Sequence, residues 1–339
     1  MSPNALATRA FIADYLADRE ALEAQCVAAK DLVTVILRDA NVEVHHISAR
    51  LKTPSSIIVK AALKGYRNIK GQLTDLLGVR VISYYSEDVD AISDVLRMHF
   101  RIHAAKSVDK RSALAPTEFG YRSVHLIAQV SGGLGRDPRY VCLGKRWFEI
   151  QVRSLLEHAW ASIDHEVVYK SRIDFPDSTL RRFASVAGTL EMLDREFAIL
   201  RSEPDKVVQG HKDGYSSGRG YSARLDAARL FAILEVLFPA GLGWRGAVKR
   251  GSPFPRHIEA ACLAALAKSG ITTGRGLRDA TQSRPFRRAM RRFAANKGIA
   301  PSDVSHLASL ALVVGIRRKT LLADFLPDLL ADPALTSSL

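Results

Sequence analysis

The chain has 339 residues, 47% of them hydrophobic, and 49 Lys+Arg against 35 Asp+Glu give a formal net charge of +14. The length suggests two domains, the apolar content is too high for a disordered chain, and three distant cysteines (Cys26, Cys142, Cys262) exclude a disulfide framework or a paired-thiol zinc site. No run of about 18 apolar residues occurs and Met1–Glu20 lacks a signal-peptide layout, so a cytoplasmic protein without a membrane partner is expected.

Residues 1–48 read as helical, with apolar runs such as Leu32, Val33, Val35, Ile36 and Leu37. Thr53-Pro54 opens a further helix to about Leu63, since Thr suits an N-cap and Pro the first helical position. Val79–Tyr85 is β-branched and aromatic and predicts a strand, followed by a helix over Asp88–Phe100 and a strand over Ser123–Val130. Arg139–Arg153 reads as a hairpin turning near Gly144-Lys145. Ser154–Tyr169 and Ser178–Ser202 have helical periodicity. Residues 203–222 hold four glycines and three serines and are expected to be a linker. Residues 223–339 read as short helices with no strand run. The expected organisation is an N-terminal helical segment (1–48), an α/β domain (49–202), a linker (203–222) and a small all-α domain (223–339).

The charge is uneven. Residues 1–200 hold 27 basic and 24 acidic side chains, and residues 201–339 hold 22 and 11. The basic character therefore belongs to the C-terminal region, which points to a polyanionic partner. Arg284, Arg287, Arg288, Arg291 and Arg292 recur at helical spacing and stack on one face, opposite Phe286, Met290 and Phe293. Such a stripe suits a phosphate backbone.

Several constellations in the α/β region suit chemistry on nucleotides. Asp75, beside Gly78 and Arg80 at the start of a strand, is a plausible Mg²⁺ carboxylate. Gly120-Tyr121-Arg122-Ser123-Val124-His125 leads into a strand, with Tyr121 able to stack on a base and Ser123 and His125 on one face. Glu149, Gln151 and Arg153 alternate with Ile150 and Val152, so a strand points all three polar groups one way. Arg50, Lys52 and Lys60 flank the Thr53-Pro54 helix start as cations for a phosphate. His158 and His165 lie seven residues apart without a cysteine, and a structural helix pairing Glu166 with Lys170 reads better than a metal site.

In this order and spacing, DLLGVRV (75–81), GYRSVHLI (120–127) and FEIQVRSLLEHAWASIDHEVVYK (148–170) resemble the RelA/SpoT-type nucleotide pyrophosphokinase, or alarmone synthetase, domain. The resemblance covers roughly residues 40–200. It implies a nucleotidyltransferase-like mixed sheet flanked by helices. It also implies transfer of the β,γ-pyrophosphate of ATP to the 3′-hydroxyl of GDP or GTP, with Mg²⁺ as cofactor. By this resemblance Asp75 is the principal metal carboxylate, and Glu149 binds metal or activates the attacking hydroxyl. Arg50, Lys52, Lys60 and Arg80 hold ATP. Tyr121 and His125 hold the guanine, with Ser123 on the same strand, and Gln151 and Arg153 line the acceptor side.

Two departures stand out. Thr117 occupies the place where the family commonly has a lysine for the acceptor's 5′ phosphates, although Lys106, Lys110 and Arg111 lie nearby. No His-Asp dipeptide occurs, so the hydrolase activity of the long bifunctional members is not expected. The residues leave three readings open: a synthetase-only alarmone enzyme that forms homo-oligomers as such members often do, a toxin-like member that pyrophosphorylates the 3′ end of tRNA, and an inactive nucleotide- or nucleic-acid-binding module.

Overall fold

The computed structural model describes residues 3–110, 123–169, 175–239 and 258–317. The chain divides into two compact units, Met1–Ile199 and Leu200–Leu339.

The first unit starts with helices α1 (Pro3–Ala17) and α2 (Arg19–Asp39). The helical expectation for residues 1–48 fails at its end, where His46–Leu51 forms strand β1. Helix α3 (Pro54–Lys64) begins as predicted: the Thr53 hydroxyl accepts from the Ser56 N–H, and Gly65 ends the helix in the left-handed conformation. After a single-turn helix α4 (Ile69–Gln72) come β2 (Leu77–Ser83), α5 (Asp88–His99), the two-residue strands β3 (Arg101–Ile102) and β4 (Val108–Asp109), β5 (Val124–Gln129) and β6 (Phe148–Ser154). Helix α6 (Leu155–Asp164) passes into a π-helical turn at His165–Tyr169, and α7 (Asp177–Ser216) follows.

The sheet order is β1-β2-β6-β5-β3, with β4 also on β5. Among the described strands only β2 and β6 run parallel; the other pairs are antiparallel. The sheet is therefore mixed, as expected. The predicted hairpin over 139–153 does not form. Both edges of β6 are taken, one by β2 and the other by β5, so no edge remains for a preceding strand. Residues Val141–Leu143 make a 3₁₀ turn instead, while Tyr140 is buried and donates its hydroxyl to Asp31 Oδ2 at 2.8 Å.

Alternation divides the sheet into two faces. Val79, Val81, Ile150, Val152, Val124, Leu126 and Ala128 enter a core with Leu32, Val33 and Ile36 of α2 and Ile92 and Leu96 of α5. The opposite face carries the polar residues. A second cluster joins Tyr15, Leu22, Ile57, Ile69 and Leu76 and braces α3 and α4. The apolar layer thus fixes the strands' register, and register fixes which polar groups meet on the open face.

The predicted linker at 203–222 is also corrected. Residues 203–216 belong to α7, whose 40 residues include Pro204. Two glycines and a proline make this stretch a poor helix by propensity. Its face is nevertheless fixed by contacts in the second unit: Val208 packs on the C-terminal core, Lys212 Nζ meets Glu235 Oε2 at 3.0 Å, and Tyr215 is 3% exposed. Tertiary burial outweighs local preference here.

The second unit is helical throughout its described residues beyond α7: α8 (Ala227–Leu237), α9 (Ile258–Lys268), α10 (Gly274–Gln282), α11 (Arg284–Lys297) and α12 (His306–Arg317). Leu310–Val314 of α12 are buried on every side, so this helix is the centre of the core. No described helix is long and apolar enough to cross a membrane.

Candidate active site

The polar face gathers residues from β1, α3, the α4–β2 connection, β2, β5 and β6. Register places Arg50 opposite Gly78 and Gly78 opposite Glu149. One step along, Arg80 lies opposite Gln151, which faces His125 on the other side. Glu149, Gln151 and Arg153 project from a central strand.

Two carboxylates anchor the charge. Asp75, just before β2, accepts at Oδ2 from Lys52 Nζ (2.8 Å) and Lys60 Nζ (2.7 Å). Its side chain is 11% exposed. Burial pushes the Asp75 pKa up, but the two ammonium groups more than offset this and hold it below the usual carboxylate value. Asp75 Oδ1 is buried and accepts no hydrogen bond from the described residues. A buried carboxylate oxygen without a donor suits a hard cation.

Glu149 is the second. His125 Nδ1 lies 2.8 Å from Oε1, and Gln151 Nε2 donates to Oε2 at 2.8 Å. Arg153 donates in turn to Gln151 Oε1 at 2.9 Å. Burial raises the Glu149 pKa and the nearby Asp75 charge adds to that, but His125 and Gln151 bring the balance below the ordinary value. An ionised carboxylate only accepts, so the contact requires a proton on His125 Nδ1.

Five Lys or Arg side chains (Arg50, Lys52, Lys60, Arg80, Arg153) thus belong to a region with two carboxylates. That excess of cations suits a polyphosphate. Among the described residues no cluster of three His, Cys, Asp or Glu could hold a metal on its own. Mg²⁺ commonly uses one or two carboxylates together with substrate phosphates, so Asp75 and Glu149 fit that manner of binding.

Gly78 has a particular place in this arrangement. Its backbone needs no glycine, since it has no positive φ. A Cβ there would come no nearer than 3.8 Å to any other side chain, that of Arg50. The missing side chain leaves the sheet floor open between Arg50 and Glu149.

Ser123 is fully buried just before β5, and its Oγ has no partner among the described residues. Tyr121, Thr117, Arg111 and Lys170 lie outside the described residues. His158, on α6, is depressed by burial and by the charges of Arg153, Arg80, His46 and His45.

The sequence reading missed the support behind β6. Ser154, its last residue, caps α6: its Oγ accepts from the Glu157 N–H at 3.1 Å, and Glu157 Oε2 accepts from the Ser154 N–H at 2.7 Å. Ser154 Oγ also donates to Asp194 Oδ2 on α7. The spacing Ser154-x-x-Glu157 is the capping-box signature and could have located it.

Residues 49–174 match the family described as the region found in RelA / SpoT proteins. The GTP pyrophosphokinase YwaC of Bacillus subtilis is 29% identical over 166 residues, which cover 48% of this chain and 76% of that protein. The GTP pyrophosphokinase YjbM of the same organism is 27% identical over 190 residues, 55% of this chain and 85% of that one. Among solved structures, a GTP pyrophosphokinase family protein from Streptococcus pneumoniae matches with 25% identity and a TM-score of 0.46, over 56% of this chain and 94% of its own. Residues 49–174 thus match the RelA/SpoT region, and the chain is similar over about half of its length to two GTP pyrophosphokinases.

Proposed function

We propose that the protein is an ATP-dependent pyrophosphokinase that makes the alarmones ppGpp and pppGpp from GDP and GTP. The observation that carries this reading is the pairing, on one sheet face, of Asp75 with Lys52 and Lys60 and of Glu149 with His125, within a domain whose curated relatives are GTP pyrophosphokinases.

In the reaction the 3′-oxygen of the acceptor attacks the β-phosphorus of ATP. The bond from that phosphorus to the oxygen bridging to the α-phosphate breaks, and AMP leaves. Such a transfer needs charge neutralisation and alignment more than covalent help. Arg50, Lys52, Lys60 and Arg80 bind the donor's phosphates and base. Lys52 and Lys60, now on Asp75 Oδ2, are placed to turn to the donor's phosphates, and Asp75 is the carboxylate that would hold a cation there. Mg²⁺, held by Asp75 with Glu149, would neutralise the charge that develops on the phosphates. Glu149, ionised and fixed by His125 and Gln151, orients the acceptor hydroxyl and accepts its proton. Tyr121, Ser123, His125, Gln151 and Arg153 form the acceptor side. The substrates are cytoplasmic nucleotides, which supports a cytoplasmic place of action.

The relatives favour a guanosine nucleotide as acceptor over the 3′ end of tRNA, and the two ionised carboxylates favour an active enzyme over an inert module. Incubation with γ-labelled ATP, Mg²⁺, GDP, GTP and deacylated tRNA tests both points. Label is expected on guanosine nucleotides. Label on tRNA alone, or no transfer under conditions in which a relative works, would overturn the reading.

A further inference from the structure

The arginines of α11 have a role that the synthetase chemistry does not use. Arg284, Arg287, Arg288, Arg291 and Arg292 are all exposed. The reverse side of the helix is sealed into the unit's own core: Phe286, Met290 and Phe293 are 4%, 6% and 5% exposed, and the Phe286 ring meets that of Phe238. Ser283 caps the helix start and Gly298 ends it, so the stripe sits on a well-defined helix.

Within residues 3–110, 123–169, 175–239 and 258–317, no carboxylate neutralises the five guanidiniums. Residues 251–300 contain only Glu259 and Asp279 as acids, and Asp279 lies 3.7 Å from Arg278 on α10. The contrast with Arg278 is informative: that side chain also covers the Tyr221 ring at 4.4 Å and is used internally. The α11 arginines are held in place by their backbone and directed outward.

We propose that this face of α11 binds a nucleic acid by its phosphodiester backbone, without sequence preference. The stripe runs over nine residues, about 12 Å of helix from first to last, which matches three to four nucleotides of one strand. Guanidiniums recognise phosphate oxygens in pairs. No exposed aromatic or amide side chain lies between the arginines to read a base edge, so the contacts position a strand without specifying it. A membrane surface fits less well, because an interfacial helix needs an exposed apolar side and here that side is buried.

The proposal stands apart from the synthetase reading and is tested on the full-length chain by fluorescence anisotropy. The probes are a mixed-sequence single-stranded RNA of about 20 nucleotides, a duplex DNA of the same length, and vesicles containing phosphatidylserine, at salt between about 50 and 200 mM. Wild type should bind a nucleic acid whatever its sequence, with log K falling against log salt at a slope of about −3 for a single strand. The double variant Arg287→Glu, Arg288→Glu should lose about tenfold or more in affinity, and Arg287→Ala, Arg288→Ala should flatten the slope by about 1.4. Both should retain the wild-type circular dichroism melt, since neither touches the buried side. The RNA and DNA arms report which strand binds better. No binding at the lowest salt, affinity unchanged by charge reversal, or binding to vesicles alone would each overturn the proposal.

Discussion

The two units treat positive charge in opposite ways. On the polar sheet face the cations meet carboxylates: Lys52 and Lys60 share Asp75, and Arg153 reaches Glu149 through Gln151. On α11 five arginines stand exposed without an acid beside them among the described residues. The lesson is that the net charge of +14 describes two devices. One is a pre-arranged ionic lattice in a partly buried place, where geometry matters. The other is an open field, where only the number of charges matters.

The largest effect that tests this contrast comes from neutralising one carboxylate in the lattice. Asp75→Asn and Glu149→Gln should each lower pyrophosphate transfer by about 10²–10⁴-fold while the fold persists. For Asp75→Asn the loss should fall on kcat. Lys52 and Lys60, relieved of their partner, remain able to hold ATP, so KM for ATP should stay level or drop. Charge reversal at Arg287 and Arg288 should leave kcat unchanged. Steady-state kinetics of the three variants decide the matter, and near-wild-type turnover in either carboxylate variant would refute the assignment.

A second, smaller effect separates a structural glycine from one that leaves room. Gly78→Val adds a good strand former where the backbone accepts any residue, so thermal stability should hold or rise slightly. The added methyl groups would occupy the floor between Arg50 and Glu149, and KM for nucleotide should rise about tenfold. A fall in melting temperature with KM unchanged would show that the glycine serves packing.

Much of this arrangement was legible in the sequence because it rests on local rules. Thr53-Pro54 announces a helix start, and Glu149, Gln151 and Arg153 share a face by simple alternation. The failures have a common physical cause in long-range partners. The strand nature of His46–Leu51 depends on β2, on which it pairs, although Ile47, Ala49 and Leu51 do alternate inward. The missing hairpin depends on β2 and β5 having already occupied β6. The helicity of residues 203–216 depends on the burial of Tyr215 and Val208. The triad of Lys52, Lys60 and Asp75 spans three elements. Its members could be named from the chain, but that both ammoniums meet one oxygen could not.

The smallest effects lie where the lattice is braced from behind. Ser154→Ala removes the α6 cap and the hydroxyl that faces Asp194, and should cost about 1–2 kcal/mol in a denaturant titration. Asp194 should respond in the opposite sense. Burial raises its pKa, the Ser154 hydroxyl only partly opposes this, and Oδ1 accepts no hydrogen bond from the described residues. The neighbouring charges that line the same recess are Glu157, Glu191 and Arg195, and Arg195 is paired with Glu191. A carboxyl group with a raised folded-state pKa stabilises the protein when protonated. That contribution is complete below the unfolded value near 3.9 and is lost as pH rises through the folded value. At neutral pH the wild type therefore carries an uncompensated buried charge. Asp194→Asn keeps an oxygen for the Ser154 hydroxyl and removes the charge. The variant should be the more stable at pH 7, with the gap closing as pH falls toward about 3.9. Urea titrations at both ends of that range measure it. A less stable variant at neutral pH would mean that ionised Asp194 has a compensating cation, and that the support behind β6 is a charged pair like those on its front face.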